Sequence, residues 1–145
     1  MYDIWKKQTI NELEMYEPRK LAERNIYDQL RELKAALTSI RSPGADAGQG
    51  KGGGGSADDR YLNNIVKQEL LEENLRETKR ALKRMNHAME VLSEEEKEIL
   101  DCFFINPEKE AAFNLADKLN IDRKTVYLRR EIALKKLTVA MYGKT

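Results

Sequence analysis

Residues 113–137 read FNLADKLNIDRKTVYLRREIALKKL, and this stretch predicts two helices joined by a tight turn. Ala116 supplies a small side chain where two such helices must approach closely. Leu119, Ile121 and Val126 are the apolar residues that would pack between the helices and set their crossing angle. The spacing therefore predicts a helix-turn-helix.

The turn is predicted at Asn120 and Asp122. Asparagine tolerates the left-handed backbone conformation that ends many helices. An aspartate two residues later can cap the next helix, because its carboxylate accepts hydrogen bonds from the free N–H groups there. The second helix would then begin at Arg123. In helix-turn-helix proteins the start of this helix lies in the major groove of DNA.

Charge supports this interpretation locally. The full sequence is almost neutral, with 26 Lys and Arg residues against 25 Asp and Glu residues. Within residues 122–145 the acids are Asp122 and Glu131, and the basic residues are Arg123, Lys124, Arg129, Arg130, Lys135, Lys136 and Lys144. A solvated amphipathic helix is the alternative interpretation. DNA contact is favoured because the basic residues coincide with the second helix of the motif.

Four motifs carry a resemblance to a known group of proteins. They are LSEEEKEIL at 92–100, LADKLNIDRKTVY at 115–127, ALKKL at 133–137 and AMYG at 140–143. With them, residues 93–143 resemble the promoter-reading C-terminal domain of bacterial sigma factors. The segment is more closely similar to the sigma-like regulators of phages and prophages of Gram-positive bacteria, of the ArpU and RinA type. The resemblance implies a phage-type transcriptional regulator that acts with RNA polymerase.

Two positions depart from the sigma-factor pattern. Asn120 replaces the usual turn glycine, which is physically tolerable. Arg129 stands where an apolar residue normally packs under the second helix. Either its aliphatic stem lies along the core with the guanidinium emerging at a phosphate, or the register is wrong at this end of the helix.

The outward-facing start of the second helix is the predicted DNA-binding site. Helical angle places one group of side chains opposite Val126, where they would meet base edges. This group consists of Arg123, Lys124, Tyr127 and Leu128. The candidates for contacts to the DNA backbone are Thr125, Arg129 and Arg130.

Residues 1–41 are predicted to form the N-terminal helices. A short helix from Met1 to Tyr16 is interrupted near Glu17 and Pro18, because proline disfavours helix in the residue before it. A second helix carries apolar residues in alternating steps of four and three, namely Ile26, Leu30, Leu33, Leu37 and Ile40. Such a seam needs a partner helix. Trp5 is expected in a core, or against this seam.

Residues 42–58 are predicted to be a flexible linker, because they are rich in Gly and Ser and carry almost no apolar side chains. A phosphate-binding loop is disfavoured, because Lys51 is followed by Gly52 rather than Ser or Thr. The string GGGGS at 52–56 is compatible with an engineered linker or with a natural loop.

Residues 59–92 are predicted to form one long coiled-coil helix. Its seam repeats in steps of four and three through Leu71, Leu75, Thr78, Leu82, Met85, Met89 and Leu92. A basic flank at 76–84 is interpreted as an exposed coiled-coil side rather than a second DNA surface. The two seams can pair as an antiparallel hairpin within one chain or pair between chains, and a homodimer would match a two-fold DNA site.

Residues 93–145 are predicted to form the helix-turn-helix domain, with three or four short helices. Ser93 and Glu96 have the spacing of a capping box. Asn106 and Pro107 are expected to end one helix and open the next, with the asparagine as its cap. No segment has the pattern of a strand, so the predicted fold class is all-α: a coiled-coil hairpin followed by a helix-turn-helix.

Catalysis is not expected. The chain has a single His (His87, on the surface) and a single Cys (Cys102, partly buried and reduced), too few for the usual metal clusters. We expect no catalytic residue, no metal and no cofactor. A lone cysteine fits a reducing cytosol, and neither a membrane span nor a signal peptide is evident. The expected location is the cytoplasm of a bacterium, encoded by a phage or prophage.

The function predicted from the sequence is sequence-specific binding of double-stranded DNA by a transcriptional regulator. Two alternatives remain open. A small terminase subunit also joins a helix-turn-helix to oligomerising helices, but it recognises a packaging site and assembles as a ring. A helical adaptor would use its coiled-coil seams and bind no DNA.

Overall fold

The computed structural model describes residues 4–41 and 56–145, and these residues form helices and no strands. The helices are α1 (Ile4–Glu14), α2 (Tyr16–Arg41), α3 (Ala57–Met89), α4 (Glu94–Leu100), α5 (Ala111–Leu119) and α6 (Arg123–Tyr142). A π-helical turn (Asp101–Ile105) continues α4 without a break. The predicted all-α fold class is confirmed. Of the predicted linker at 42–58, residues 42–55 lie outside the described residues.

The first two helices are separated at Met15. Pro18 has no N–H, so it cannot donate to the carbonyl of Glu14, where α1 ends. The helical hydrogen bonds resume around it, since Arg19 N–H donates to Met15 O at 2.9 Å. The predicted interruption is confirmed, and it falls slightly before the expected Glu17.

The described residues divide into two compact units. One is Leu21–Lys79, where α2 and α3 are in contact. Asn64 Nδ2 donates to Leu33 O at 2.8 Å, and Lys79 Nζ lies 4.9 Å from the centre of the Tyr27 ring. Residue numbers fall along α2 as they rise along α3, so the two helices are antiparallel, as a hairpin requires.

Polar residues extend the seam of α3 upstream of its predicted start at Leu71. Asn64 and Gln68 continue the same four-three steps and are only 7% and 8% exposed. Gln68 Nε2 donates to Asn64 Oδ1 at 2.7 Å, so the pair satisfies part of its own hydrogen bonding. An apolar pattern could not reveal these positions, because they are amides. Buried amides in a coiled-coil seam favour one register over others.

The other unit contains α1, the start of α2 up to Lys20, and the segment Arg80–Thr145. Leu13 of α1 is fully buried against α6, a contact that the sequence did not predict. Trp5 stacks on Tyr142 of the C-terminal helix with ring centres 5.0 Å apart, but it is 37% exposed, so the expectation that it lies in a core was wrong. The buried cluster comprises Leu13, Met85, Ala88, Leu92, Leu100, Ile105, Ala133, Leu134 and Leu137.

The start of α4 agrees with the predicted capping box. Glu96 N–H donates to Ser93 Oγ at 3.1 Å, and Ser93 N–H donates to Glu96 Oε1 at 2.9 Å. The prediction for the next helix was wrong, because α5 begins at Ala111 and not after Asn106. Asn106 is still engaged in closing the preceding π-helical turn, with its N–H donating to Asp101 O at 2.8 Å.

The last helix is longer than the predicted short elements. α6 has 20 residues and ends at Gly143, whose φ of 84° is the left-handed conformation that favours glycine. At 1.5 Å per residue it is about 30 Å long. Its first turns complete the motif with α5, and its later turns pack against α1 and α4.

Candidate nucleic-acid interface

The turn between α5 and α6 has the geometry expected of a helix-turn-helix. Asn120 is left-handed, with φ 58° and ψ 45°, as predicted. Ile121 N–H donates to Ala116 O at 3.1 Å, which closes the end of α5. Three residues, 120–122, therefore separate the end of α5 from the start of α6.

Asp122 caps α6 as predicted. Its carboxylate accepts from Thr125 N–H at 2.7 Å. The pKa of Asp122 is lowered by hydrogen bonds from the Thr125 side chain and then its N–H, with a smaller contribution from the charge of Lys124. The carboxylate is thus ionised at neutral pH, and it stabilises the positive end of the helix.

An apolar cluster holds the motif together. Val126 is fully buried in it, as the sequence predicted, while Leu119 and Ile121 pack on its edge. The buried members are Ile99, Cys102, Ala111, Ala112, Leu115 and Val126. Because Val126 faces inward, the neighbouring positions of the first turn of α6 must face outward.

The four predicted base-facing residues are all exposed. Tyr127 and Leu128 are 45% and 57% exposed, although both are large and partly apolar. Arg123 and Lys124 form no side-chain ion pair with any residue in the described part of the chain. The first two turns of α6 therefore combine two cations that form no ion pair among the described residues with two accessible apolar surfaces.

Arg129 is paired with Glu95 of α4. The register of α6 is correct at this position, since Val126 and Ala133 on either side are buried. The guanidinium therefore meets a carboxylate of the same chain, where the sequence had placed a phosphate. Thr125, the third backbone candidate, is half-buried beside its cap.

Arg130 lies against two aromatic rings. Its guanidinium carbon is 4.8 Å from the centre of the Phe103 ring and 5.0 Å from that of Tyr127. It also donates to the carboxylate of its neighbour Glu131, from Nε at 3.1 Å. The structure thus places Arg130 beside Tyr127 of the predicted site, with its guanidinium already engaged by two rings and a carboxylate of the same chain.

The basic residues further along α6 also differ in whether they are paired with a carboxylate. Lys136 Nζ lies 2.9 Å from Glu96 Oε2. Burial alone would raise the pKa of Glu96, but the Ser93 N–H and Lys136 outweigh it and lower that pKa. Lys135 and Lys144 are exposed. The acidic start of α4 therefore neutralises part of the basic helix, while Arg123 and Lys124 at its start and Lys135 further along keep charges without an ion pair among the described residues.

A groove beside the first turn of α6 was not predicted. It is open, has a volume of about 360 Å³, and is lined by Cys102, Phe103, Glu108, Glu110, Ala111, Ala112, Phe113, Arg123 and Tyr127. Glu110 on its rim has a φ of 57°, unusual for a residue with a side chain. The prediction missed this groove because it rests on the loop 106–110, which was expected to be helical.

The thiol of Cys102 lines this groove. Burial raises its pKa to about 11, and a hydrogen bond to the Glu108 carboxylate at 3.4 Å contributes. The thiol is therefore neutral at physiological pH and a poor nucleophile. Within residues 4–41 and 56–145 no group of three His, Cys, Asp or Glu side chains is placed to hold a metal ion. Over the same ranges no helix combines the length and the apolarity that crossing a membrane requires.

The fold and this site define an all-α protein with a helix-turn-helix at its C-terminal end. The chain belongs to the family described as "Protein of unknown function (DUF1492)", which its residues 37–138 match. The match extends from the end of α2 through most of α6. No curated protein and no solved structure matches the chain.

Proposed function

We propose that this protein is a sequence-specific double-stranded DNA-binding transcriptional regulator of phage type, which inserts the start of α6 into the major groove. One observation carries the proposal. The first two turns of a capped recognition helix expose Arg123, Lys124, Tyr127 and Leu128, and neither cation forms a side-chain ion pair among the described residues. Unpaired cations with apolar side chains beside them fit phosphates, base edges and thymine methyl groups.

Each residue has a role that follows from its chemistry. Arg123 and Lys124 donate to the acceptors of guanine or to phosphate oxygens. Tyr127 and Leu128 contact a thymine methyl group or the sugar edge. Arg129 reaches the DNA backbone by exchanging Glu95 for a phosphate, which is a charge-neutral replacement at a half-exposed position.

The regulatory part of the proposal rests on the resemblance of residues 93–143 to sigma-like phage regulators. That resemblance implies action together with RNA polymerase. The geometry of the motif supports it, because the sigma-like positions 115–127 supply both the turn and the exposed first turn of α6.

Homodimerisation belongs to the same proposal. In the unit Leu21–Lys79, α3 exposes three apolar residues at intervals of four, namely Leu62, Val66 and Leu70, which are 59%, 45% and 62% exposed. Residues at this spacing share one face of a helix. An apolar helix face of this kind is suited to packing against a second copy, and two copies would match a two-fold DNA site.

Binding of the purified protein to genomic fragments of its host and resident phage, over a series of salt concentrations, tests the function. Selective retention of a few fragments, with affinity falling steeply as salt rises, is the expected result. Retention of fragments beside packaging genes, together with a large closed oligomer, would identify a terminase subunit instead. No retention even at low salt would contradict DNA binding and favour the helical adaptor.

A further inference from the structure

Arg130 is held from several sides, which is unusual for an arginine expected to contact DNA. The rings of Phe103 and Tyr127 are 5.9 Å apart, and the guanidinium carbon lies within 5.0 Å of both ring centres. The cation therefore occupies the corner between two aromatic rings. Cation–π attraction in this arrangement favours one conformation of each of the three side chains.

The acidic partner of Arg130 is itself anchored. Glu131 Oε2 accepts from Arg130 Nε at 3.1 Å and lies 3.1 Å from Arg130 Nη2 as an ion pair, and Glu131 Oε1 accepts from Lys6 Nζ of α1. Burial alone would raise the pKa of Glu131, but hydrogen bonds from Lys6 and Arg130 lower it, so the carboxylate is ionised. A continuous series of contacts thus runs from α1 to Tyr127.

We propose that Arg130 is a positioning residue that holds Tyr127 in its base-reading conformation, and that α1 maintains this arrangement through Lys6 and Glu131. The proposal rests on the proposed function, since it takes the first turn of α6 as the DNA-reading surface. The Arg130 cluster is defined as Lys6, Phe103, Tyr127, Arg130 and Glu131.

The geometry favours positioning over a phosphate contact. Arg130 Nε already donates to Glu131, the guanidinium forms an ion pair with that carboxylate, and the Arg130 side chain is only 26% exposed. Moving the guanidinium to a phosphate would break these bonds and both ring contacts. Tyr127, in contrast, is 45% exposed and carries no partner besides Phe103 and Arg130 among the described residues, so its conformation depends on them.

The DNA test compares Arg130→Gln with Arg129→Gln on a target fragment and on an unrelated fragment. Arg130→Gln is expected to weaken target binding by about threefold to tenfold, the effect of ordering a side chain at an interface. Its binding to unrelated DNA and its salt dependence should stay unchanged. Arg129→Gln removes one positive charge from the neighbouring position but leaves the ring contacts of Arg130 in place. It should weaken binding to both fragments.

Two outcomes of this comparison would overturn the proposal. One is that Arg130→Gln weakens both fragments equally and reduces the salt slope by about one, as loss of a phosphate contact does. The other is that Arg130→Gln weakens target binding as much in a Tyr127→Leu background as in the parent. If Arg130 acts through Tyr127, Arg130→Gln should cause no further loss of target binding once Tyr127 has been replaced by leucine.

A second test needs no DNA. Nuclear magnetic resonance would follow the Arg130 Hδ protons, which ring currents shift upfield in the parent, and the ring protons of Tyr127. Lys6→Ala should move both sets toward the values of free side chains, and Lys83→Ala on α3, an exposed charge control, should not. Unchanged shifts in Lys6→Ala would overturn the role of α1. Failure of the parent to bind any DNA would refute the proposed function while this test still reports on the cluster.

Discussion

Arg123 and Lys124 are the residues on which the DNA-binding proposal depends most directly. Both are exposed, and neither forms a side-chain ion pair in the described chain; the charge of Lys124 acts only at longer range, on the cap Asp122. Their neighbours Arg129 and Arg130 have the same formal charge but are directed at Glu95 and Glu131. At this scale, the number of basic residues is less informative than which of them lack a partner.

Replacing both residues, as Arg123→Ala with Lys124→Ala, should weaken binding to the target fragment by at least about 30-fold. Each contact to a base or phosphate contributes roughly 1–3 kcal/mol to binding. Fluorescence anisotropy over a salt series would measure the loss, and thermal unfolding should change little, since both side chains are at the surface.

The matched control is Arg80→Ala with Lys83→Ala, which removes the same charge from exposed positions of α3. It should bind almost as well as the parent. Equal losses in the two double variants would mean that net charge, and not the first turn of α6, determines affinity.

At the scale of single elements, the turn between α5 and α6 depends on the left-handed Asn120. Asn120→Ala should lower the free energy of unfolding by about 1–2 kcal/mol, because a Cβ without a local hydrogen-bonding group is strained in this conformation. Asn120→Gly should leave it within about 0.5 kcal/mol, because glycine adopts positive φ without a Cβ clash. Chemical denaturation would measure both, and equal destabilisation by the two variants would argue against backbone strain as the cause.

The start of α4 should make stability depend on pH. The lowered pKa of Glu96 means that its ionised form stabilises the fold fully above its ordinary value of 4.5, and that this contribution is lost as pH falls through the lower value of the folded state. Glu96→Gln keeps the capping-box geometry but cannot titrate.

The free energy of unfolding of Glu96→Gln should therefore change less between about pH 5 and about pH 3 than that of the parent. This interval contains the ordinary pKa of Glu96 and extends below it, where the pKa of the folded state lies. Glu94→Gln removes a carboxylate that is almost fully exposed and should follow the parent curve. Parallel curves for the parent and Glu96→Gln would exclude Glu96 as a source of the pH dependence.

For the whole molecule, we predict that the unit containing the helix-turn-helix depends on α1 for its stability. Leu13→Ala should destabilise this unit by about 2–5 kcal/mol, because it empties a fully buried site beside Leu134 and Leu137. Leu21→Ala, at an exposed position of α2, should change stability by less than about 0.5 kcal/mol. Calorimetry would compare them, and a small loss in Leu13→Ala would show that α1 is dispensable.

The proposed dimer can be tested on the exposed face of α3. Leu62→Glu with Leu70→Glu should shift a dimer toward monomer in sedimentation equilibrium without loss of helix, because both side chains are exposed in the described chain. Asn25→Glu with Gln29→Glu adds the same charge at exposed positions of α2 and should leave the mass unchanged. A parent that is monomeric at micromolar concentration would refute the dimer.

The sequence alone determined the local elements. Apolar spacing in steps of four and three predicted α2 and α3, and the pairs Ser93 with Glu96 and Asn120 with Asp122 predicted the ends of helices. These features depend on residues within four positions of one another, so they can be read without the rest of the chain. The exposed first turn of α6 follows in the same way from the burial of Val126.

Tertiary structure decided which of these elements meet and which charges remain unpaired. The packing of Leu13 on α6, the stacking of Trp5 on Tyr142 and the pairing of Arg129 with Glu95 join residues far apart in the chain. The buried amides Asn64 and Gln68 likewise depend on a partner helix. Local periodicity cannot specify such contacts, because many apolar faces and many opposite charges are compatible with each other. Only the packing of the folded chain selects one combination.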